Sequence, residues 1–578
     1  MGLPVPIECL QEIFEHLQND LKSLYTILFV NKLWCINAIP ILYRNPFILL
    51  NETLFTTHNH KDAFEIYGDK ILLLLENYLK YLTQEQKLEW EEKGIKLPEI
   101  IEPSLFDYLS FLRILPLPEL QHSILLWSNK IIEVRNNRKF IELEMNKLFL
   151  TKCKNINTLM IDESSELPEL VNNSLPNFYN LNFICSKLLE ISKLEKIIPH
   201  CDKIKVLSIL RFGKRTSIEN RFTIPKLINK PKALEKFYWE SVKDYDELSI
   251  SKSLEKHINS LTHIEIYTYF SCHIISIISK CKNLKTLRFA KSFLNNIPQF
   301  INDDDVGFDK FIDITPFTYP KITFPNLQEL FFGGIPTNFY HFEILLKNTN
   351  HSLKKLGLGW SNSIDSLNLY CENLNFLNLK LSFHDFDKFF QVSELPKFLT
   401  KLVFNSKDSP DLYQRADRNI NEFLIHLSNI LPKKIKFIHL GLFYKNYSID
   451  SLKTFLLNCQ TNLEFPLELI LPFDTCSIIE ERNHIVQNFT KLKVLTENSW
   501  ILFLYFCLND CKNCSTCHGG LLNNEEDNPI EPFKEIILIK HCSCWKNHIE
   551  CLVSNLYQDQ DSEVNNYEIE MDDGFIYT

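Results

Sequence analysis

Cysteine and histidine side chains concentrate near the carboxyl end of the chain, where they could bind a metal ion. The segments CKNCSTCH (511–518) and HCSCWKNHIEC (541–551) contain six cysteines and three histidines. A Cys-x-x-Cys turn can bring both sulfur atoms to about 2.3 Å from one tetrahedral zinc ion. The candidate zinc ligands are Cys511, Cys514, Cys517, Cys542, Cys544, His548 and Cys551.

The spacing of these residues leaves two interpretations of segment 501–555 open. Its first half repeats Cys-x-x-Cys, but the Cys542-x-Cys544 and His548-x-x-Cys551 pairs of the second half match no regular zinc ribbon. The segment is therefore either a cap with a structural zinc site or a cap whose thiols are free or loosely packed. Apart from this possible zinc, no cofactor is expected.

No catalytic motif accompanies this cluster. The chain has only 13 glycines in 578 residues, and neither G-x-G-x-x-G nor G-x-x-x-x-G-K-[ST] occurs. We also find no Ser/His/Asp or Cys/His set in a recognisable local context. The sequence therefore predicts a protein that is not an enzyme.

Charge and hydropathy argue against nucleic acid and membranes as partners. The chain is 45% hydrophobic and 23% charged, as in ordinary globular proteins. Its formal charge of −10, with scattered Lys and Arg, argues against nucleic acid as the main partner. The longest apolar run, 501–508, is too short to span a membrane, and the acidic first helix does not resemble an export signal. We expect no membrane insertion and a cytoplasmic or nuclear location.

Residues 1–47 have the pattern of three short helices. Asp20 and Asn31 can cap the second and third helices, and Pro40 is expected to end the third. So small a unit has too little interior for all its apolar side chains, so some should stay exposed. The first helix is indicated by apolar residues at helical spacing, namely Ile7, Leu10, Ile13, Phe14 and Leu17.

In order and spacing, this segment resembles the F-box motif. The matching residues are Leu3-Pro4, Glu8, Ile13-Phe14, Leu17, Asp20-Leu21, Leu24, Val30-Asn31, Trp34 and Pro40. The resemblance implies docking onto the Skp-type adaptor of a cullin ubiquitin ligase, and through it a cullin and a RING subunit. The residues that it implies for adaptor contact, or for the core beneath that surface, are Leu3, Pro4, Ile13, Phe14, Leu17, Leu21, Leu24, Val30 and Trp34.

Residues 48–150 are predicted to form a helical bridge. The stretches ILLLLENYLKYL (71–82) and FDYLSFLRIL (106–115) both have the apolar content of buried or amphipathic helices.

A short apolar phrase recurs from residue 153 onward. Its final alternation places two side chains on one face of a short strand, and stacked parallel strands of this kind share one core. The phrase resembles the leucine-rich repeat, L-x-x-L-x-L, which implies an irregular solenoid over 151–500 with the shape of an arc or horseshoe. The predicted fold class is thus mixed α and α/β. Clear copies are Ile156-Leu159-Ile161, Ile204-Leu207-Ile209, Leu261-Ile264-Ile266, Leu284-Leu287-Phe289, Leu327-Leu330-Phe332, Leu353-Leu356-Leu358, Leu374-Leu377-Leu379, Leu399-Leu402-Phe404 and Ile435-Ile438-Leu440.

Two sets of residues follow from the repeat register. Cysteines three positions before the first apolar residue, at 153, 201, 281 and 371, are predicted to be inert packing residues. Polar residues between the apolar positions face away from the core, and such faces commonly bind macromolecules. The candidates for contact with a protein target are Lys285, Arg288, Lys355, Trp360, Asn375, Asn378 and Lys380.

Together these features predict a substrate receptor of an SCF-type ubiquitin ligase, with an unknown protein target. One alternative is a non-catalytic repeat scaffold whose F-box-like helices only cap the solenoid. Another is a zinc-dependent ligase that uses the 511–551 cluster, although the closing Cys-x-x-Cys pair of a RING is absent. Residues 556–578 are predicted to be an acidic, solvated tail.

Overall fold

The structure is a computed structural model, and its described residues cover the helical start of the chain and most strands and helices up to residue 503. Leu3, Pro4, Trp360 and all candidate zinc ligands lie outside them. The described residues are 6–18, 20–47, 73–97, 105–130, 132–162, 165–168, 178–184, 192–212, 220–241, 247–266, 274, 277–289, 323–332, 339–349, 351–359, 364–381, 386–406, 417–441, 448–473, 488–489, 495 and 500–503.

Three helices form at the start of the chain, as predicted: α1 (Ile7–His16), α2 (Leu21–Ile27) and α3 (Lys32–Leu42). The Asp20 side chain accepts a hydrogen bond from the Ser23 amide, and Asn31 accepts one from the Trp34 amide, each over 3.0 Å. Both predicted caps are therefore confirmed. The prediction that Pro40 ends α3 is wrong, because the helix continues to Leu42. A proline near the last turn removes a single backbone hydrogen bond, and the buried residues that follow it pack against the rest of the unit.

The bridge region is largely helical, but it also contains the first strand. Residues 73–79 are helical, in agreement with prediction. The helix predicted over 106–115 is wrong for most of its length, because only Tyr108–Phe111 is helical and β1 (Ile114–Pro116) follows. The spacing Leu112-x-x-Leu115-x-Leu117 is itself a copy of the repeated phrase. The helices of this region are α4 (Gln84–Glu92), α5 (Tyr108–Phe111), α6 (Leu117–Lys130), α7 (Ile132–Asn136) and α8 (Arg138–Lys152).

The chain divides into two compact units, Met1–Asn283 and Leu284–Thr578. The described residues of unit 1 include six strands, each of which pairs in parallel with the next along the chain. They are β1, β2 (Thr158–Ile161), β3 (Asn180–Ile184), β4 (Val206–Phe212), β5 (Lys236–Ser241) and β6 (His263–Ile266). The helices between its later strands are α9 (Ser192–Ile197), α10 (Asn220–Asn229) and α11 (Glu247–Glu255), with a 3-10 turn at Ile198–His200.

Eight strands lie in the described part of unit 2, again parallel and paired in chain order. They are β7 (Thr286–Phe289), β8 (Glu329–Phe332), β9 (Lys355–Gly359), β10 (Phe376–Leu381), β11 (Lys401–Ser406), β12 (Phe437–Gly441), β13 (Glu468–Phe473) and β14 (Trp500–Phe503). Its helices are α12 (Phe339–Asn348), α13 (Ile364–Tyr370), α14 (Phe386–Phe389), α15 (Asp417–Ile430) and α16 (Ile449–Asn462).

The repeated phrase accounts for the core of both units. In the β10 copy, Leu374, Leu377 and Leu379 are each 0% exposed. The phrase also has a copy at Phe178-x-x-Leu181-x-Phe183, on β3, that the sequence reading missed. Alternate strand residues point away from this core. The mixed α and α/β class with parallel strands is thus confirmed.

A regular hydrogen-bond pattern joins successive strands. In each pair of strands, the carbonyl of the residue that precedes the first strand accepts two hydrogen bonds. One comes from the amide of the residue that precedes the second strand, and the other from the amide of the first residue of that second strand. Such pairing satisfies backbone groups at the strand entrances, where a turn would otherwise leave them unpaired. The accepting residues are Arg113, Asn157, Tyr179, Lys205 and Glu235 in unit 1, and Lys285, Gln328, Lys354, Asn375 and Thr400 in unit 2. The carbonyl of Arg44, which follows α3 instead of preceding a strand, accepts in the same way at the entrance of β1.

The four cysteines in the repeat register are buried packing residues, as predicted. Burial raises the pKa of each thiol, at Cys153, Cys201, Cys281 and Cys371, to about 12. Cys201 and Cys281 donate to the carbonyls of Ile197 and Ile277, four residues earlier. The thiols therefore lack the thiolate character that redox chemistry requires.

Candidate interaction surfaces

The three-helix unit at residues 7–42 is built around a small apolar core. Phe14 and Leu24 are 1% and 0% exposed, and the rings of Phe14 and Trp34 meet edge to face with centroids 5.5 Å apart. Leu17, Leu21 and Trp34 are partly buried against the same core. Of the candidates for adaptor contact, Phe14 and Leu24 thus belong to the core, while Leu17, Leu21 and Trp34 border it.

A set of large apolar side chains on this unit remains exposed to solvent. Phe29 is 73% exposed, and its ring contacts that of Tyr25 edge to face at 5.3 Å. Five of the seven side chains fall within residues 25–36, at the end of α2, in the turn and on the start of α3. We call the set the apolar surface; it consists of Ile7, Ile13, Tyr25, Phe29, Val30, Leu33 and Ile36.

Only Ile13 and Val30 of the apolar surface were among the predicted contact residues. The sequence did not predict the other five as contact residues, although the helical spacing of Leu33 and Ile36 could have indicated a shared face. The five are Ile7, Tyr25, Phe29, Leu33 and Ile36.

The end of the three-helix unit is tied to the bridge that follows. Arg44 forms a two-pronged ion pair with Glu15 of α1, and its carbonyl accepts from the amides of Arg113 and Ile114, each over 3.0 Å. The ring of Tyr43 packs on that of Tyr108 at 4.3 Å. The three-helix unit is thus attached to the entrance of β1 by two hydrogen bonds of the same kind as those that join successive strands.

A second candidate surface is the polar face of the strands in unit 2. Glu329 on β8 lies between cations from both neighbouring strands, 3.2 Å from Arg288 on β7 and 3.1 Å from Lys355 on β9. Burial raises the pKa of Glu329, but the two cations outweigh this, and its pKa lies below its ordinary value. Glu329 is therefore ionised at neutral pH.

An aromatic ring borders this ion-pair group. The Arg288 guanidinium lies over the ring of Phe331, 5.0 Å from its centroid. The same ring occupies the space above Gly357 on the next strand, where an added Cβ would stand 2.2 Å from Phe331 Cδ1. A glycine in a glycine-poor chain thus makes room for the ring that contacts Arg288.

Four of the seven predicted target-contact residues lie on the polar strand face, and two more lie at strand entrances. Lys285 and Asn375 are exposed at strand entrances, and Lys380 is partly exposed on β10. Asn378 accepts a hydrogen bond from Asn405 on the adjacent strand over 3.0 Å. Arg288 and Lys355 form the group with Glu329, and Trp360 lies outside the described residues.

Several functional candidates on this face were missed in the sequence. Glu329 bridges two predicted residues, and Lys354, Lys401 and Lys436 occupy positions equivalent to predicted ones. Lys401 is the first residue of β11, as the predicted Lys355 is of β9. Lys354 and Lys436 each directly precede a strand, as the predicted Lys285 does. The repeat register alone could have found these three lysines.

Towards β12 the strand face becomes buried. Val403 and His439 are neighbours in register on β11 and β12, and they are 0% and 1% exposed. Burial lowers the pKa of His439 to about 4, so this histidine is neutral at physiological pH. The accessible part of the face is therefore centred on β7–β11 and on the strand entrances.

The metal-site prediction lies outside the described residues, because every proposed ligand falls at 511–551. Within the part of the chain that is described, no group of three or more His, Cys, Asp or Glu side chains is arranged to hold a metal ion. No described helix has both the length and the apolar character needed to cross a membrane.

No protein-family model and no curated protein matches the chain.

Proposed function

We propose that this protein is a substrate-recognition subunit of an SCF-type cullin ubiquitin ligase. The observation that carries the proposal is the apolar surface on residues 7–36, which is exposed although the unit beneath it has a packed core. Exposed apolar groups on a folded unit favour an interface, because covering them releases about 25 cal/mol per Å². The F-box resemblance of residues 3–46, the segment that contains this surface, points to a Skp-type adaptor as the partner.

The parallel strands support a target-binding role for the remainder of the chain. We interpret them as a leucine-rich-repeat solenoid, since β1–β12 carry an apolar L-x-x-L-x-L pattern and, within each unit, each described strand pairs with the next in chain order. The polar strand face then holds the target protein. The receptor would catalyse nothing itself, and would raise the effective concentration of a target lysine near the ubiquitin-charged enzyme.

A non-catalytic scaffold is the second candidate function. It is favoured by the attachment of Arg44 to Arg113 and Ile114 and by the packing of Tyr43 on Tyr108. These contacts are what a helical cap on the strand stack would make. The two functions differ in one respect, because only the receptor needs an accessible adaptor-binding surface.

Binding of the purified full-length chain to a Skp-type adaptor separates the two functions. The informative variant is Phe29→Ala/Leu33→Ala, because both side chains are exposed and their loss should leave the core intact. A matched control is Leu369→Ala/Leu457→Ala, which removes two apolar side chains of comparable exposure from unit 2. Circular dichroism of each variant checks that it is folded.

The receptor function predicts tight binding that weakens about tenfold or more in the Phe29/Leu33 variant, because a few apolar anchors supply most interface energy. The control should bind as the unaltered chain does. Failure of the unaltered chain to bind the adaptor would exclude the receptor function and leave the scaffold.

A further inference from the structure

The polar strand face of unit 2 has a charge opposite to that of the whole protein. The chain carries a formal charge of −10. At the described entrance and outward positions of β7–β13, however, cations far outnumber the two carboxylates, Glu329 and Glu468. We call these cations the basic face; they are Lys285, Arg288, Lys354, Lys355, Lys380, Lys401 and Lys436.

Both carboxylates of the face are already close to cations. Glu329 is paired with Arg288 and Lys355. Burial raises the pKa of Glu468, and nearby Lys401 partly opposes that rise. The ion pairs of Glu329 hold Arg288 and Lys355 in place before any partner binds.

Several other cations of the face have no such neighbour. Among the described residues, no carboxylate lies within 4.0 Å of the ammonium groups of Lys285, Lys354, Lys380 or Lys436. The first three lie on β7, β9 and β10 or at their entrances, and neighbouring parallel strands are spaced about 4.8 Å apart. The strand entrances therefore present uncompensated positive charges at Lys285, Lys354 and Lys436, and Lys380 adds another near the carboxyl end of β10.

We propose that the basic face binds an acidic segment of a partner protein. The inference rests on the proposed function, because it gives the chemical class of the target. Charge complementarity selects an anionic partner and rejects basic ones. Glu329 acts as an internal carboxylate that holds Arg288 and Lys355 in position, and its side chain also limits the positive charge of the face.

The aromatic residues of the face favour a polypeptide over a single-stranded nucleic acid. Nucleic acid channels combine basic residues with aromatic rings on which bases stack. Here Phe376 and Phe437, which lie next to Lys355 and Lys401 in register, are only 5% and 6% exposed. These two rings offer almost no surface to a base, and the partly exposed ring of Phe331 is already in contact with Arg288. The carboxylates of a peptide need only the ammonium groups.

Fluorescence anisotropy on the full-length chain tests this inference without any adaptor. The probe is a labelled peptide of alternating Glu and Ser, and the control peptide has Gln in place of Glu. The first variant, Lys401→Gln/Lys436→Gln, removes two positive charges from the face. The second, Glu329→Gln, removes a negative charge from it. Lys347→Gln/Lys453→Gln is the matched control, because both lysines are exposed on helices α12 and α16.

We expect saturable binding of the Glu peptide that weakens with added salt. Lys401→Gln/Lys436→Gln should weaken binding about three- to tenfold, and Glu329→Gln should strengthen it about two- to fivefold. A purely structural effect of the substitutions would weaken binding in both face variants. The control variant should bind as the unaltered chain does.

Three results would overturn the inference: equal binding of the Gln peptide, face variants that behave like the control, or tighter binding of single-stranded oligothymidylate than of the Glu peptide. The adaptor takes no part in this assay. An unaltered chain that binds the Glu peptide but not a Skp-type adaptor would therefore refute the receptor function and leave the basic face as a binding surface.

Discussion

The ring of Phe14 on α1 contacts the ring of Trp34 on α3 edge to face, with 5.5 Å between their centroids. Phe14 is buried in this contact, while its neighbour Ile13 is 50% exposed. Two adjacent apolar residues of one helix thus have different roles, one holding the unit together and one lying on its apolar surface.

Replacement of Phe14 should therefore affect folding before it affects any partner. Phe14→Ala is expected to destabilise the three-helix unit by about 3–5 kcal/mol, because it removes a buried ring and leaves a cavity. Ile13→Ala should change stability by less than about 0.5 kcal/mol. Hydrogen exchange of the amides in residues 7–42 measures both effects. Equal protection in the two variants would contradict the assignment of Phe14 to the core.

Gly357 should tolerate no side chain while Phe331 is present. Gly357→Ala places a Cβ 2.2 Å from Phe331 Cδ1, so the ring must move, and we expect a loss of about 1–3 kcal/mol of stability. Phe331→Ala removes the obstacle, so the double variant should be more stable than the sum of the two single changes predicts. Urea unfolding of all four proteins gives this coupling. Strict additivity would show that the ring does not occupy the space above Gly357.

Acid should destabilise unit 2 through His439. Burial lowers the pKa of His439 to about 4, whereas an unfolded histidine has a pKa of about 6.5. As the pH falls through this interval, the unfolded chain takes up a proton that the folded chain does not. Stability should then fall by about 1.4 kcal/mol per pH unit, from pH about 6 to about 4, and be unaffected above about 7.5.

The matching variant for this effect is His439→Gln, which keeps a polar side chain but cannot be protonated in this range. Its free energy of unfolding should depend less on pH between about 6 and 4.5, by roughly 1 kcal/mol per pH unit. Denaturant titrations at several pH values measure the two slopes. His257, whose pKa is also lowered by burial, remains in both proteins and cancels in the comparison. Identical slopes would mean that His439 is not the group responsible.

The buried cysteines should resist alkylation. Burial raises the thiol pKa values of Cys153, Cys201, Cys281 and Cys371 to about 12, so almost no thiolate forms at pH about 8. Iodoacetamide should modify exposed Cys9 in the native protein and reach these four only after denaturant is added. Peptide mass spectrometry locates the modified residues. Rapid native modification of Cys281 would contradict its position in the core.

The sequence by itself determined most of the strands, their core residues and two helix caps, although it missed β1 and β3. The phrase L-x-x-L-x-L encodes both a short strand and its buried side, so the copies from Ile156 to Leu440 predicted the core that the structure has. The caps at Asp20 and Asn31 could also be predicted from the sequence, because a cap involves residues only three positions apart. Such features depend on contiguous residues, which sequence spacing describes directly.

Only the tertiary structure decided which apolar residues of the first unit are buried and which charges meet on the strand face. Phe14 and Phe29 are alike in type and both follow an apolar pattern, but only packing between helices separates the buried ring from the exposed one. Likewise Glu329 meets Arg288 and Lys355 because parallel pairing brings together residues 26 to 41 positions apart. The distance between two side chains in such a fold depends on the register of the strands, and not on their separation in the chain.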